Sequence, residues 1–214
     1  MIPVPYLPLT LHTIDDVPAQ ALTALTAHPV ACVNWATHPY APAVTVKIAH
    51  TPSHLLLQYD VREKSIRAQY TQCNQSVWTD SCVEFFVSLD QKKTYYNFEF
   101  NCIGTPLLRH NVKPHEGTYA TPELLSTLLT KSSLGNSPIA VQQGDFTWQL
   151  LVAIPYTCFF AHQISDLRGQ TLLGNCYKCG DELPDPHFLS LFPIRTPTPN
   201  FHAPEFFGEL VFGS

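Results

Sequence analysis

Charge is scarce in this chain of 214 residues: only 14% are Asp, Glu, Lys or Arg, with Lys+Arg 12 against Asp+Glu 17 and a net charge of -5. No basic cluster occurs. Nucleic acid and anionic membranes are therefore not expected as main partners, because both are held by grouped Lys and Arg. A neutral ligand fits the composition better. Apolar runs of about 18 residues are also lacking, so no membrane span is expected. The N-terminus lacks the basic segment, apolar core and cleavage site of a signal peptide, and Pro3, Pro5 and Pro8 interrupt it. The expected location is cytoplasmic, or secreted or periplasmic if a leader was removed before residue 1. A disulfide framework is lacking too: seven cysteines, an odd number scattered at 32, 73, 82, 102, 158, 176 and 179, read as reduced thiols buried as small hydrophobes.

What the chain does have is a hydrophobic fraction of 45% and an aromatic fraction of 12%, enough for a core. No repeat or linker divides it, so residues 1–214 read as one domain. Residues 1–30 form an extension in which Asp15-Asp16-Val17-Pro18 starts a helix over Ala19–Ala27, packed against a sheet. Val44–Ala49 and His54–Val61 alternate as a hairpin, and 62–77 is a polar excursion without a period. Residues 104–144 are loop-rich, with a short helix within Pro122–Leu129. Extended segments follow at Phe146–Ile154, Gln170–Lys178, His187–Ile194 and Phe207–Phe212. Many short strands and one or two peripheral helices predict an all-β fold, a two-sheet antiparallel β-sandwich.

The central stretch is Ser76–Val87. From Cys82 onward Val83, Phe85, Val87 and Leu89 point one way and Cys82, Glu84, Phe86 and Ser88 the other, which puts the first set in a core and Glu84 on the opposite face near Trp78. Tyr95–Cys102 returns with Tyr96, Phe98, Phe100 and Cys102 alternating against Tyr95, Asn97, Glu99 and Asn101. A Ser88–Tyr95 pairing sets Glu84 opposite Glu99, and a slip of two sets it opposite Asn101.

Three segments together resemble the family 9 carbohydrate-binding modules and their stand-alone relatives. They are Trp78-Thr79-Asp80-Ser81-Cys82-Val83-Glu84-Phe85-Phe86, Phe146–Tyr156 with its Trp148 and Ala153-Ile154-Pro155, and Asn200–Leu210. The resemblance implies a jelly-roll or DOMON-like sandwich and non-catalytic binding of a mono- or oligosaccharide, linked to polysaccharide breakdown. It places an aromatic sandwich at Trp78 and Phe201 and a hydrogen-bond acceptor at Glu84. The basic residue that better-known members carry on the neighbouring strand falls at Glu99 here, and a polar amide falls near Thr198. Related sandwiches hold haem between Met and His, but the single methionine here is Met1.

Read without the family, the residue types suit a sugar. Rings stack on axial C–H faces, while carboxylates and amides pair with hydroxyls, and Trp78, Phe201, Glu84 and Asn101 supply both. Facing carboxylates at Glu84 and Glu99 would need a cation, a shared proton, or an arginine such as Arg109 or Arg195. They also open a second reading, a glycoside hydrolase using Glu84 with another carboxylate, for which Asp181, Glu182 and Asp185 are candidates. A third reading is an interaction domain that has lost its sugar. No cofactor is expected. Cys176-x-x-Cys179 is half of a zinc site whose other half would come from His187 or His202, and structural calcium is left open at Asp80 or the Asp181–Asp185 loop.

Overall fold

Alternation in the central hairpin places Val83, Phe85 and Val87 beside Tyr96, Phe98 and Phe100 in one buried layer. The loop between the two strands fixes their register. Asp90 accepts from the Thr94 amide at 2.9 Å and its hydroxyl at 2.7 Å, and Ser88 Oγ accepts from the Lys92 amide at 2.8 Å. The result is the pairing Glu84 opposite Glu99, with Asn101 opposite Cys82.

The computed structural model describes residues 1–114 and 116–214. Its strands are β1 (Ile2–Val4), β2 (His28–Pro29), β3 (Cys32–Val33), β4 (Ala43–His50), β5 (His54–Ala68), β6 (Cys82–Ser88) and β7 (Tyr95–Asn101). They continue as β8 (Pro106–Lys113), β9 (Glu116–Tyr119), β10 (Leu129–Ser132), β11 (Ile139–Pro155), β12 (Thr171–Cys179), β13 (Phe188–Ser190) and β14 (Gly208–Phe212). One sheet runs β1-β14-β12-β6-β7-β8-β9, with β13 and β3 added beside β12; the other runs β10-β11-β5-β4-β2. All neighbours are antiparallel except β1 with β14. This is the expected two-sheet sandwich. The main core lies between the sheets, where Tyr59, Leu57, Trp148 and Leu150 of the smaller sheet meet the phenylalanines of β6 and β7. Each large ring removed from water there contributes roughly 1.5–3 kcal/mol.

Two smaller apolar clusters cover the outer faces. On the smaller sheet, Leu22 and Leu25 pack with Leu11, Val17, Leu56 and Ala153. Leu22 belongs to helix α1 (Ala19–Ala24), which stops short of the expected Ala27 because Leu25 is already extended. On the larger sheet, Phe86, Tyr95, Leu107 and Tyr177 are covered by Trp35, Val77, Ile194, Phe201 and Phe207 from loops.

Two expectations are corrected. Residues 62–68 are not a polar excursion but the second half of β5, and residues 104–144 hold β8, β9, β10, the start of β11 and a one-turn helix α2 (Pro122–Leu125). The polar residues of β5 can face inward because they find buried partners. Glu63 Oε2 lies 2.9 Å from Lys178 Nζ on β12, both side chains being fully buried, and Glu63 Oε1 accepts from the Trp148 indole at 2.7 Å. Lys178 also donates to His187 Nε2 at 2.9 Å, while His187 Nδ1 donates to the Asp185 carbonyl at 2.9 Å. An ammonium donating into Nε2 requires the neutral ring. Burial, reinforced by Lys178, pushes the His187 pKa down from 6.5 to about 2.

The unfolded chain takes up a proton at this position below pH 6.5 and the folded chain does not, so His187 destabilises the fold progressively as pH falls. Chemical denaturation at pH 7 and pH 5 should show the native protein losing roughly 2 kcal/mol more than His187→Gln, whose amide keeps one donor and one acceptor without titrating. Parallel pH profiles for the two proteins would contradict this.

Candidate functional site

The outer face of the larger sheet presents side chains in rows across the strands. Tyr177, Glu84, Glu99 and Leu107 form one row, and Asn175, Phe86, Asn97, Arg109 and Tyr119 the next. A third row is Cys179, Cys82 and Asn101. Above the first two rows lies a cavity of about 330 Å³, walled by Trp78, Tyr119, Phe188, Phe201, Asn200 and His202 and floored by Glu84, Glu99, Asn97, Arg109 and Cys179, with Asp181 at its side.

Trp78 reaches this cavity from a 3-10 turn over Val77–Thr79. Thr79 Oγ1 donates to the Ser76 carbonyl at 2.9 Å, and the buried Asp80 carboxylate anchors the turn to the sheet. Asp80 accepts from the Gln69 and Tyr70 amides and from Asn101 Nδ2 at 3.0 Å, and lies 3.2 Å from Arg67 Nε. Behind Trp78, its carbonyl accepts from the Asp181 amide at 3.3 Å. Phe201 also lines the cavity; it is only 8% exposed, and its ring stacks on Tyr177 with centroids 4.2 Å apart and planes 7° apart. One face of the Phe201 ring is therefore covered by protein.

Four of the six residues singled out from sequence, Trp78, Glu84, Glu99 and Phe201, border the same cavity. Asn101 and Thr198 do not line it. Asn101 lies in the third row beneath the Asp80 turn, with its amide donating to Asp80 and to the Tyr70 carbonyl at 2.8 Å and its Oδ1 accepting from the Thr105 amide at 2.9 Å. It is a scaffold residue. Thr198 is exposed and its carbonyl accepts from the Thr196 hydroxyl, while the amide side chain on the cavity wall is Asn200. Asp80, named as a calcium ligand, has its carboxylate committed to the donors just described.

Sequence reasoning named Arg109 only as one of two counter-charges, gave Asn97 no ligand role of its own, and considered Asp181 only as a hydrolase carboxylate or part of a calcium loop. The basic group missing at Glu99 stands one strand further on, where Arg109 lies 5.2 Å from the centroid of the Tyr119 ring. Asn97 Nδ2 donates to Glu99 Oε1 at 2.7 Å and its own Oδ1 accepts from Asn111 at 2.6 Å, so the carboxyl is held by a buried amide chain. Glu99 Oε2 has no hydrogen-bond partner among the described residues. The polar face of β7 carried a signal for Asn97; nothing local marked Arg109, whose strand was read as loop.

Burial dominates the electrostatics of the floor. It raises Glu84 well above the ordinary carboxylate range, with the facing Glu99 adding to the effect. It lifts Glu99 to about 7 and Asp181 to about 6. Cys179 Sγ donates to Glu84 Oε1 at 3.0 Å. A floor whose buried carboxyls are shifted toward their protonated forms, beside one guanidinium, offers both donors and acceptors with reduced negative charge. That suits a neutral, hydroxyl-rich ligand. All seven cysteines carry free thiols, five of them buried, and Cys176 and Cys179 face opposite sides of β12.

A two-sheet sandwich with a ring-walled, carboxyl-floored cavity on an outer sheet face is, as a class, a small-ligand-binding module. The particular family follows from comparison: the model of carbohydrate-binding family 9 matches residues 17–212, and the chain belongs to that family. A candidate carbohydrate-binding protein from Bacteroides uniformis has 38% identity, with 99% of each chain covered and a TM-score of 0.90. A family 9 module from Caldicellulosiruptor kristjanssonii solved with glucose shares the fold at 13% identity and a TM-score of 0.61, covering 99% of this chain and 96% of that one. A module from the same organism solved with cellotriose gives 14% identity and a TM-score of 0.57, covering 99% and 93%. No curated protein matches the sequence.

If Asn101 holds the turn, Asn101→Ala should lower unfolding free energy by about 1–3 kcal/mol, the usual cost of orphaning buried hydrogen-bond partners. Denaturant titration reads this directly, and an unchanged midpoint would remove Asn101 from the scaffold.

Proposed function

We propose that this protein binds a carbohydrate non-covalently, without catalysis, in the cavity between Trp78 and Phe201. The observation that carries the reading is the joining of an aromatic wall at Trp78 to a floor where Glu84, Glu99 and Arg109 offer hydrogen-bonding groups. A volume of about 330 Å³ sits at the small end of ligand sites, which favours a monosaccharide or the end of a short chain. Trp78 supplies a stacking plate for the axial C–H face. Phe201 supplies at most its free face, and Arg109 with Asn200 takes the role of the basic and amide groups placed by resemblance at Glu99 and Thr198. The relatives solved with glucose and cellotriose make β-linked glucose sugars the first ligands to try. A role linked to polysaccharide breakdown follows from the same reading.

The hydrolase reading is weaker because Glu84 and Glu99 are direct cross-strand neighbours on one floor. A glycosidase pair instead flanks the scissile bond from two sides.

Calorimetric titration with glucose, cellobiose and cellotriose should show saturable binding that Trp78→Ala weakens roughly tenfold or more, about 1.4 kcal/mol. Trp78 is only partly buried, so the variant should remain folded. No reducing sugar should be released. Absence of binding across a glycan array would favour the interaction domain, and product release lost in Glu84→Gln would favour the hydrolase.

A further inference from the structure

The Cys176-x-x-Cys179 spacing suggested half of a zinc site completed by His187 or His202, but β12 sends the two cysteines to opposite faces. Cys176 points into the core between the sheets, whereas Cys179 points to the outer face, where its partner is Cys82, directly opposite on β6. Glu84, two residues along β6, projects on the same face as Cys82. One donor atom from each of Cys82, Glu84 and Cys179 lies within 4.8 Å of the others, and all three residues are buried. Cys179 and Glu84 also border the cavity.

We propose that Cys82, Cys179 and Glu84 form a binding site for a divalent cation of the zinc class at the floor of the cavity, with a fourth coordination position open to the cavity. Two sulfurs and a carboxylate oxygen are donors that borderline-soft, tetrahedral cations accept, whereas calcium and magnesium demand oxygen alone. Bond lengths of about 2.3 Å to sulfur and about 2.0–2.2 Å to oxygen place neighbouring donors roughly 3.5 Å apart. Here Cys179 Sγ and Glu84 Oε1 are 3.0 Å apart and all three donors lie within 4.8 Å, so binding requires them to adjust by about 1 Å. Adjacent antiparallel strands hold Cys82 and Cys179 rigidly, so little ordering remains to be done on binding. The cation displaces the two thiol protons, and any proton on Glu84, to solvent. Three protein ligands leave one tetrahedral position, which Asp181, next to the Cys179 thiol, or a hydroxyl in the cavity can occupy.

The site goes beyond sugar binding and does not rest on it. To test it, the full chain, reduced and stripped with chelator, is titrated with Co²⁺ and followed by absorption. Expected are thiolate-to-cobalt charge-transfer bands and intense tetrahedral d–d bands that saturate at one equivalent and vanish when Zn²⁺ is added. Cys82→Ser and Cys179→Ser should each abolish the two-thiolate spectrum, and Cys176→Ser should leave it. A reduced, folded protein that gives no thiolate band overturns the proposal, as does an unchanged spectrum in Cys82→Ser or Cys179→Ser. Should those variants fail to fold, the native protein still decides: Zn²⁺ must protect two thiols from a thiol reagent, and unprotected thiols overturn it. No readout uses a sugar, so failure of sugar binding leaves this outcome independent.

Discussion

The structure turns on a buried ion pair. Glu63 on β5 and Lys178 on β12 meet at 2.9 Å in the space between the two sheets, with no exposure of either side chain. Such a pair is costly to desolvate, and removing one member typically costs about 3–5 kcal/mol because the other is left charged and alone. Here both members are further satisfied, by the Trp148 indole on one side and by neutral His187 on the other. Lys178 is also the residue between Tyr177 and Cys179. Fixing its side chain on the inner face fixes theirs on the outer face, and from that follow the ring supporting Phe201 and the thiol against Glu84.

The cavity floor solves a second charge problem in another way. Glu84 and Glu99 face each other with Asp181 nearby, and three full negative charges in so buried a place would repel strongly. Burial shifts the carboxyls toward their protonated forms, Asn97 steadies Glu99, and Arg109 supplies the cation. The outcome is a patch rich in hydrogen-bonding capacity and poor in net charge. The whole chain, with only 14% charged residues, is composed in the same manner.

Much of this was legible in the sequence, and the reason is local. The two strands of the central hairpin alternate with period two, and a short polar loop joins them, so the faces could be read from adjacent residues and the pairing of Glu84 narrowed to Glu99 or Asn101, between which the structure selects Glu99. The rest depends on partners far along the chain. Residues 62–68 look like loop because Glu63 and Arg67 are charged; their burial makes sense only with Lys178 and Asp80 in place. Arg109 was hidden for a similar reason, since β8 sits among prolines and glycines and joins the site only through pairing with β7. Asn101 shows the converse. Its residue type and face suited a ligand, yet the Asp80 turn covers it and claims its amide.

The central claim is that a sugar meets the protein at Trp78, and the three indoles make it directly measurable. Trp148 Nε1 is bound to Glu63 at 2.7 Å inside the sandwich and Trp35 Nε1 to the Thr196 carbonyl at 2.8 Å, while Trp78 borders the cavity. In ¹⁵N-labelled protein titrated with glucose or cellobiose, the Trp78 indole resonance should shift progressively and saturate while that of Trp148 stays fixed. A Trp78 resonance that does not move at sugar concentrations saturating any other signal would contradict the account.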